Sequence, residues 1–113
     1  MHEMSVAMSI VDIAMEMMKA EGGERILKVK VVIGALSGVV AESVEFCYEA
    51  CARGTAAEGS GLEIQRAGAL ALCQGCGRQF EPQNLLAVCP ECGDMGGRIT
   101  AGQELYVDEI TVE

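Results

Sequence analysis

Four of the six cysteines fall in two matched pairs, Cys73-Gln-Gly-Cys76-Gly77 and Cys89-Pro-Glu-Cys92-Gly93. A two-residue spacer lets both sulfurs of a turn face one ion, and the glycine that follows relieves the backbone where the turn curls. Two such knuckles predict a tetrahedral all-cysteine metal site. Zinc is the favoured occupant, because four thiolates fill each of its positions and leave none for a substrate, so the role is structural. Large apolar side chains are scarce between Cys73 and Cys92, with Phe80, Leu85, Leu86 and Val88 the main ones. The segment is therefore expected to unfold without its ion, whose apparent binding energy of about 10–16 kcal/mol exceeds what so small a cluster contributes.

The same ligands serve two rivals, a single redox iron of the rubredoxin type and a nucleic-acid-binding zinc ribbon. Against the second stands the charge: one Arg, no Lys and two Glu lie between the first and last cysteine. Against the first stands the lack of aromatic packing expected around an electron-transfer iron.

His2 is the only histidine, and beside a terminal Met such a residue is ordinarily frayed and solvated. Its neighbours give it chemistry. The Met1 amine, the amides of His2 and Glu3 and the imidazole can surround one ion in a plane, a geometry that suits Ni2+ or Cu2+. The first amides of a helix lack intrahelical acceptors and sit at its positive end, so they can be given up as ligands. Neutral imidazole is required, so binding is expected to weaken as pH falls below about 6.5. No second histidine or nearby carboxylate cluster completes a buried catalytic cage, which argues for transport over turnover.

Other residues read more plainly. Cys47 and Cys51, four apart in a helical pattern with Val40 and Val44, are expected to be buried as small hydrophobes. The methionines near the N-terminus are read as core rather than as a copper(I) site. Gly59-Ser-Gly61 and Gly75-Cys-Gly77 are turn glycines, since no Gly-Lys-Ser/Thr follows to cradle phosphate. No Ser-His-Asp or Cys-His constellation can be assembled, and no enzymatic activity is expected.

The elements that position these residues follow from periodicity. Ser5, Ser9, Asp12, Glu16 and Lys19 line one strip of a helix over Met4–Ala20. Its apolar residues form two stripes, Met4, Met8, Val11, Met15 and Met18 on one side and Val6, Ile10, Ile13 and Met17 on another. A sheet together with a second helix would cover both, as would a second subunit in a homodimer. Gly22-Gly23 ends this helix. Ile26–Ile33 reads as a strand, with Leu27, Val29, Val31 and Ile33 on one face and Lys28 and Lys30 on the other. A second helix follows to about Gly54, then a strand around Leu62 and Ile64, the cysteine segment, and a last strand over Leu105–Val112.

That last strand has no core in the cysteine segment to join, so it is expected to return to the first sheet. The predicted fold class is α+β: two helices on a small three-stranded sheet, with an inserted zinc-ribbon subdomain. The expected division is a discontinuous domain of residues 1–70 and 99–113, and a ribbon of residues 71–98. At 113 residues and half hydrophobic there is room for such a core. Eight Lys plus Arg against seventeen Asp plus Glu give a net charge of −9, which disfavours nucleic acid and anionic membranes. The paired cysteines point to metal in a reducing cytosol, and neither a signal peptide nor a membrane span is legible, so a cytoplasmic protein is expected.

Taken together, the residues resemble the HypA/HybF family of nickel-delivery proteins for hydrogenase maturation. The resemblance rests on Met1-His2-Glu3-Met4-Ser5, on Ile33-Gly34-Ala35-Leu36-Ser37-Gly38-Val39, on Phe46, on both Cys-x-x-Cys-Gly knuckles and on Gly102-Gln-Glu104-Leu105. It spans essentially the whole chain. It implies nickel at His2 with neighbouring backbone nitrogens, Met1 and Glu3, and structural zinc at Cys73, Cys76, Cys89 and Cys92. Implied partners are a HypB-type nickel GTPase and the [NiFe]-hydrogenase large-subunit precursor, with urease served by some relatives. Unlike certain members, the chain has no second histidine near its ribbon, which leaves the remaining nickel ligand open. A zinc-ribbon adaptor without metal delivery is the alternative.

Overall fold

The spaced polar strip and apolar stripes form α1 (Glu3–Ala20), the first element of a computed structural model that describes residues 3–113. The helix ends in a glycine cap: Gly22 takes φ +70°, its N–H donates to the Lys19 carbonyl at 3.1 Å, and Gly23 N–H donates to Met18 at 3.0 Å. Its buried face is Val6, Ala7, Ile10, Val11, Ala14 and Met18. Met4, Met8 and Ile13, read from the sequence as core, remain 44–54 % exposed. The small residues Ala7 and Ala14 are fully buried, so the helix is rotated to bring its neighbours closest there, and the longer side chains fall at the margin.

β1 (Ile26–Gly34) is the central strand of a mixed sheet ordered β2-β1-β6. β2 (Gly61–Ala67) runs parallel to it and β6 (Leu105–Val112) antiparallel, so that Val31 stands between Ile64 and Val107. A parallel neighbour requires a crossover, and α2 (Ala41–Ala52) supplies it. Both helices and one face of this sheet share a single core around Val29, Val31, Ile33, Val44 and Tyr48.

Two details of this core differ from the sequence reading. The register between β1 and β6 slips between Ile26 and Lys28, a bulge that leaves Leu27 without a partner and exposed while Ile26 is fully buried. Strict alternation had placed Leu27 inside. On α2 the buried residues are Ala41, Val44, Tyr48 and Ala52, whereas Val40 caps the helix in extended conformation and is exposed. Tyr48 carries the greater apolar area and takes the centre of the face, which turns Cys47 and Cys51 to the flank, half-buried.

A second, antiparallel sheet is ordered β4-β3-β5, from β3 (Leu70–Leu72), β4 (Gln79–Phe80) and β5 (Arg98–Ala101). Its core is only Ala71, Cys73, Phe80, Ala87 and Cys89, with Ile99 against them. Leu85, Leu86 and Val88 point outward. The two sheets give an extended body: the radius of gyration is 17.2 Å, against about 13 Å for a compact chain of this length.

The junction between the sheets is built from backbone. Gly34 N–H donates to Glu104 and Leu36 N–H to Gly102, at 2.7 and 2.6 Å. A Cβ on Gly34 would collide with the Gly102 carbonyl, and one on Gly102, at φ +116°, would press on Ala69. Two glycines far apart in sequence are thus required by one close approach. Among the described residues, no helix is long and apolar enough to cross a membrane.

Candidate metal centre

The two knuckles fold alike. Cys73 N–H donates to the Arg78 carbonyl and Gly77 N–H to Cys73 (2.8 and 2.9 Å), and Cys89 N–H donates to Asp94 and Gly93 N–H to Cys89 (both 2.9 Å). Gly77 and Gly93 take φ +75° and +74°, the left-handed turn that closes each loop. The turns bring all four sulfurs within 4.8 Å of one another, with Cys73 and Cys92 Sγ 3.5 Å apart and Cys76 and Cys89 Sγ 3.8 Å apart. Four sulfurs about 2.3 Å from one tetrahedral ion lie about 3.8 Å from each other, so the cluster has the size of a zinc site.

Its electrostatics also call for a cation. The Cys73 thiol is lowered to about 7, chiefly by the backbone N–H of Cys76 and further by Cys92. At Cys92 the backbone N–H of Asp94 pulls the other way, but the neighbouring cysteines and desolvation outweigh it and push the thiol up to about 12. Cys76 is raised too, the Arg78 N–H being outweighed by Cys73, desolvation and Cys89. Four thiols this close cannot all ionise unless a positive ion joins them. Cys73 and Cys89 are buried and Cys76 and Cys92 exposed, so one side of the cluster opens to solvent.

The predicted terminal site is placed only in part, since Met1 and His2 lie outside the described residues. Glu3 starts α1, half-buried, and its Oε2 accepts a hydrogen bond from Val40 N–H at 3.3 Å. The carboxylate thus serves the N-terminus of α2, which has no side-chain cap of its own. That contact spans 37 residues and has no signature in sequence. Beside it lies a feature the sequence reading dismissed: Cys51 Sγ is 3.3 Å from Met4 Sδ, with Cys47 one turn away on the same helix flank.

A family model described as "Hydrogenase/urease nickel incorporation, metallochaperone, hypA" matches residues 1–112. The chain belongs to the HypA family. Curated HypA relatives named "Hydrogenase maturation factor HypA" include one from Geobacter sulfurreducens, 47 % identical over 113 residues and the whole of both chains. Another, from Chlorobaculum tepidum, is 42 % identical over the same span. The fold matches "Solution structure of the Ni metallochaperone HypA from Helicobacter pylori" with a TM-score of 0.70, 25 % identity and coverage of 99 % of this chain and 97 % of that one. A second solved structure, "Solution structure of HypA protein", shares the fold at a TM-score of 0.71 and 24 % identity, over 99 % and 96 % of the two chains. HypA is a family of metallochaperones rather than a class of catalysts, and this member carries a four-cysteine cluster fit for zinc.

Proposed function

We propose that this HypA-family chain binds Ni2+ at its N-terminus, through His2 with Met1 and Glu3, and delivers it to the [NiFe]-hydrogenase large-subunit precursor in the cytoplasm. A HypB-type GTPase is the proposed partner in loading or release. The family match over residues 1–112 is the observation that carries the reading. Relatives aligned over their entire length are named hydrogenase maturation factors, which supports hydrogenase as the destination. Zn2+ at Cys73, Cys76, Cys89 and Cys92 is structural, holding the ribbon in shape, and the chain performs no catalysis of its own.

The chemistry is consistent with a cargo site. The nitrogens at the start of α1 are the ones that helix geometry leaves free, and Glu3 is held half-buried at the α1–α2 contact. With Oε2 accepting from Val40 N–H, the second oxygen of the Glu3 carboxylate stays available as a ligand.

Metal analysis of untagged protein, followed by nickel titration of the parent and of His2→Ala, tests the proposal. One retained zinc plus a nickel site that disappears in His2→Ala, with helix content unchanged, is the expected result. Undiminished nickel uptake by His2→Ala would overturn it.

A further inference from the structure

We propose that the exposed seam between α1 and α2 is a second metal site, at which Cys47, Cys51 and Met4 bind a thiophilic monovalent cation of the Cu(I) class. Two soft donors touch there, and a third stands one helical turn away. Cys51 Sγ and Met4 Sδ are 3.3 Å apart, close enough for both to reach one ion at metal–sulfur distances of about 2.3 Å. Cys47 precedes Cys51 by one helical turn on the same flank, and it lines one surface depression together with Met4 and Glu3.

The seam is not a sealed core. Both cysteines are half-buried, and Met4 and Met8 are 47 % and 54 % exposed, an unusual position for thioethers with an apolar interior within reach. Sulfur also meets sulfur here where a hydrocarbon would pack as well.

Donor type selects the ion. Two thiols and a thioether are soft, and no imidazole joins them among the described residues; such a set favours Cu(I) over Ni2+. Burial pushes the Cys51 thiol up, and Cys47 and Asp12 nearby add to it, so that thiol keeps its proton until a cation displaces it. Binding is thus an exchange of one Cu+ for two H+ released to solvent, with no change of oxidation state. The site lies on the opposite sheet's domain from the ribbon cysteines and shares no ligand with them.

Anaerobic titration of the zinc-loaded full chain with Cu(I), buffered by bicinchoninate, tests the assignment. The parent is expected to take up one equivalent while retaining its zinc, and Cys47→Ser/Cys51→Ser to lose that equivalent. His2→Ala is expected to keep it, and Met4→Leu to hold it less tightly against the chelator. Peptide mapping after iodoacetamide treatment supplies a readout on the parent alone, which is decisive even where the double variant fails to fold: Cu(I) must shield Cys47 and Cys51 from alkylation. Copper that enters only by displacing zinc, that is lost in His2→Ala, or that leaves Cys47 and Cys51 as reactive as before overturns the proposal.

Discussion

Removing the ribbon's metal is expected to unfold the ribbon and leave the α+β domain standing. The magnitude follows from the ribbon's core. Phe80 is its one large buried hydrophobe, and burying such a side chain contributes about 1.5–3 kcal/mol, with less than about 1 kcal/mol from each alanine methyl. Fixing the backbone costs about 1–2 kcal/mol per residue, so ordering the few residues of a single knuckle already cancels that gain. An ion bound with an apparent energy of about 10–16 kcal/mol is what tips the balance. The first domain needs no such help, since Val29, Val31, Val44 and Ile26 are fully buried in a core of its own. Hydrogen exchange read by mass spectrometry, with the zinc chelated or with Cys76→Ser, is the assay. Amides of Cys73, Gly77, Cys89, Gly93 and Gly97, which donate to backbone carbonyls within the ribbon, are expected to lose protection, while those of α1 and β1 keep it. Persistent protection in the metal-free ribbon would refute the reasoning, and so would simultaneous loss across both sheets.

Other outcomes follow from particular contacts. Gly34→Ala forces a methyl into the Gly102 carbonyl and is expected to cost about 1–3 kcal/mol or more in urea unfolding; Gly61→Ala, with open space around it, serves as the near-neutral control. The bulge at Leu27 predicts unequal costs, about 2–5 kcal/mol for Ile26→Ala and under about 1 kcal/mol for Leu27→Ala, and equal losses would restore strict alternation. Burial pushes the Tyr48 phenol up, only partly offset by its 2.6 Å hydrogen bond with Ser60. Its contribution is therefore fully present below the ordinary tyrosine value near 10 and lost as pH rises through the higher folded one. Stability measured across that alkaline range should fall less steeply in Tyr48→Phe than in the parent.

The metal centre was legible because its information is local. A Cys-x-x-Cys-Gly turn closes on its own backbone, so type and spacing alone define each knuckle, and two knuckles define one four-sulfur site. Helix and strand periods were legible for the same reason: they report which residues share a face, and β6 could be expected in the first sheet because the cysteine segment offers it nothing to pack on. Which way each element is rotated was decided only in three dimensions. Tyr48 rather than Cys47 occupies the centre of α2's buried face, Ala7 and Ala14 turn Met4 and Met8 outward, and one unpaired residue at Leu27 exchanges inside for outside, all by competition for a limited interior. The contacts of Glu3 with Val40 and of Met4 with Cys51 join residues that chain order keeps far apart, as does the meeting of Gly34 with Gly102. No periodicity encodes such pairs, because they exist only once the two helices and the two sheets have been brought together.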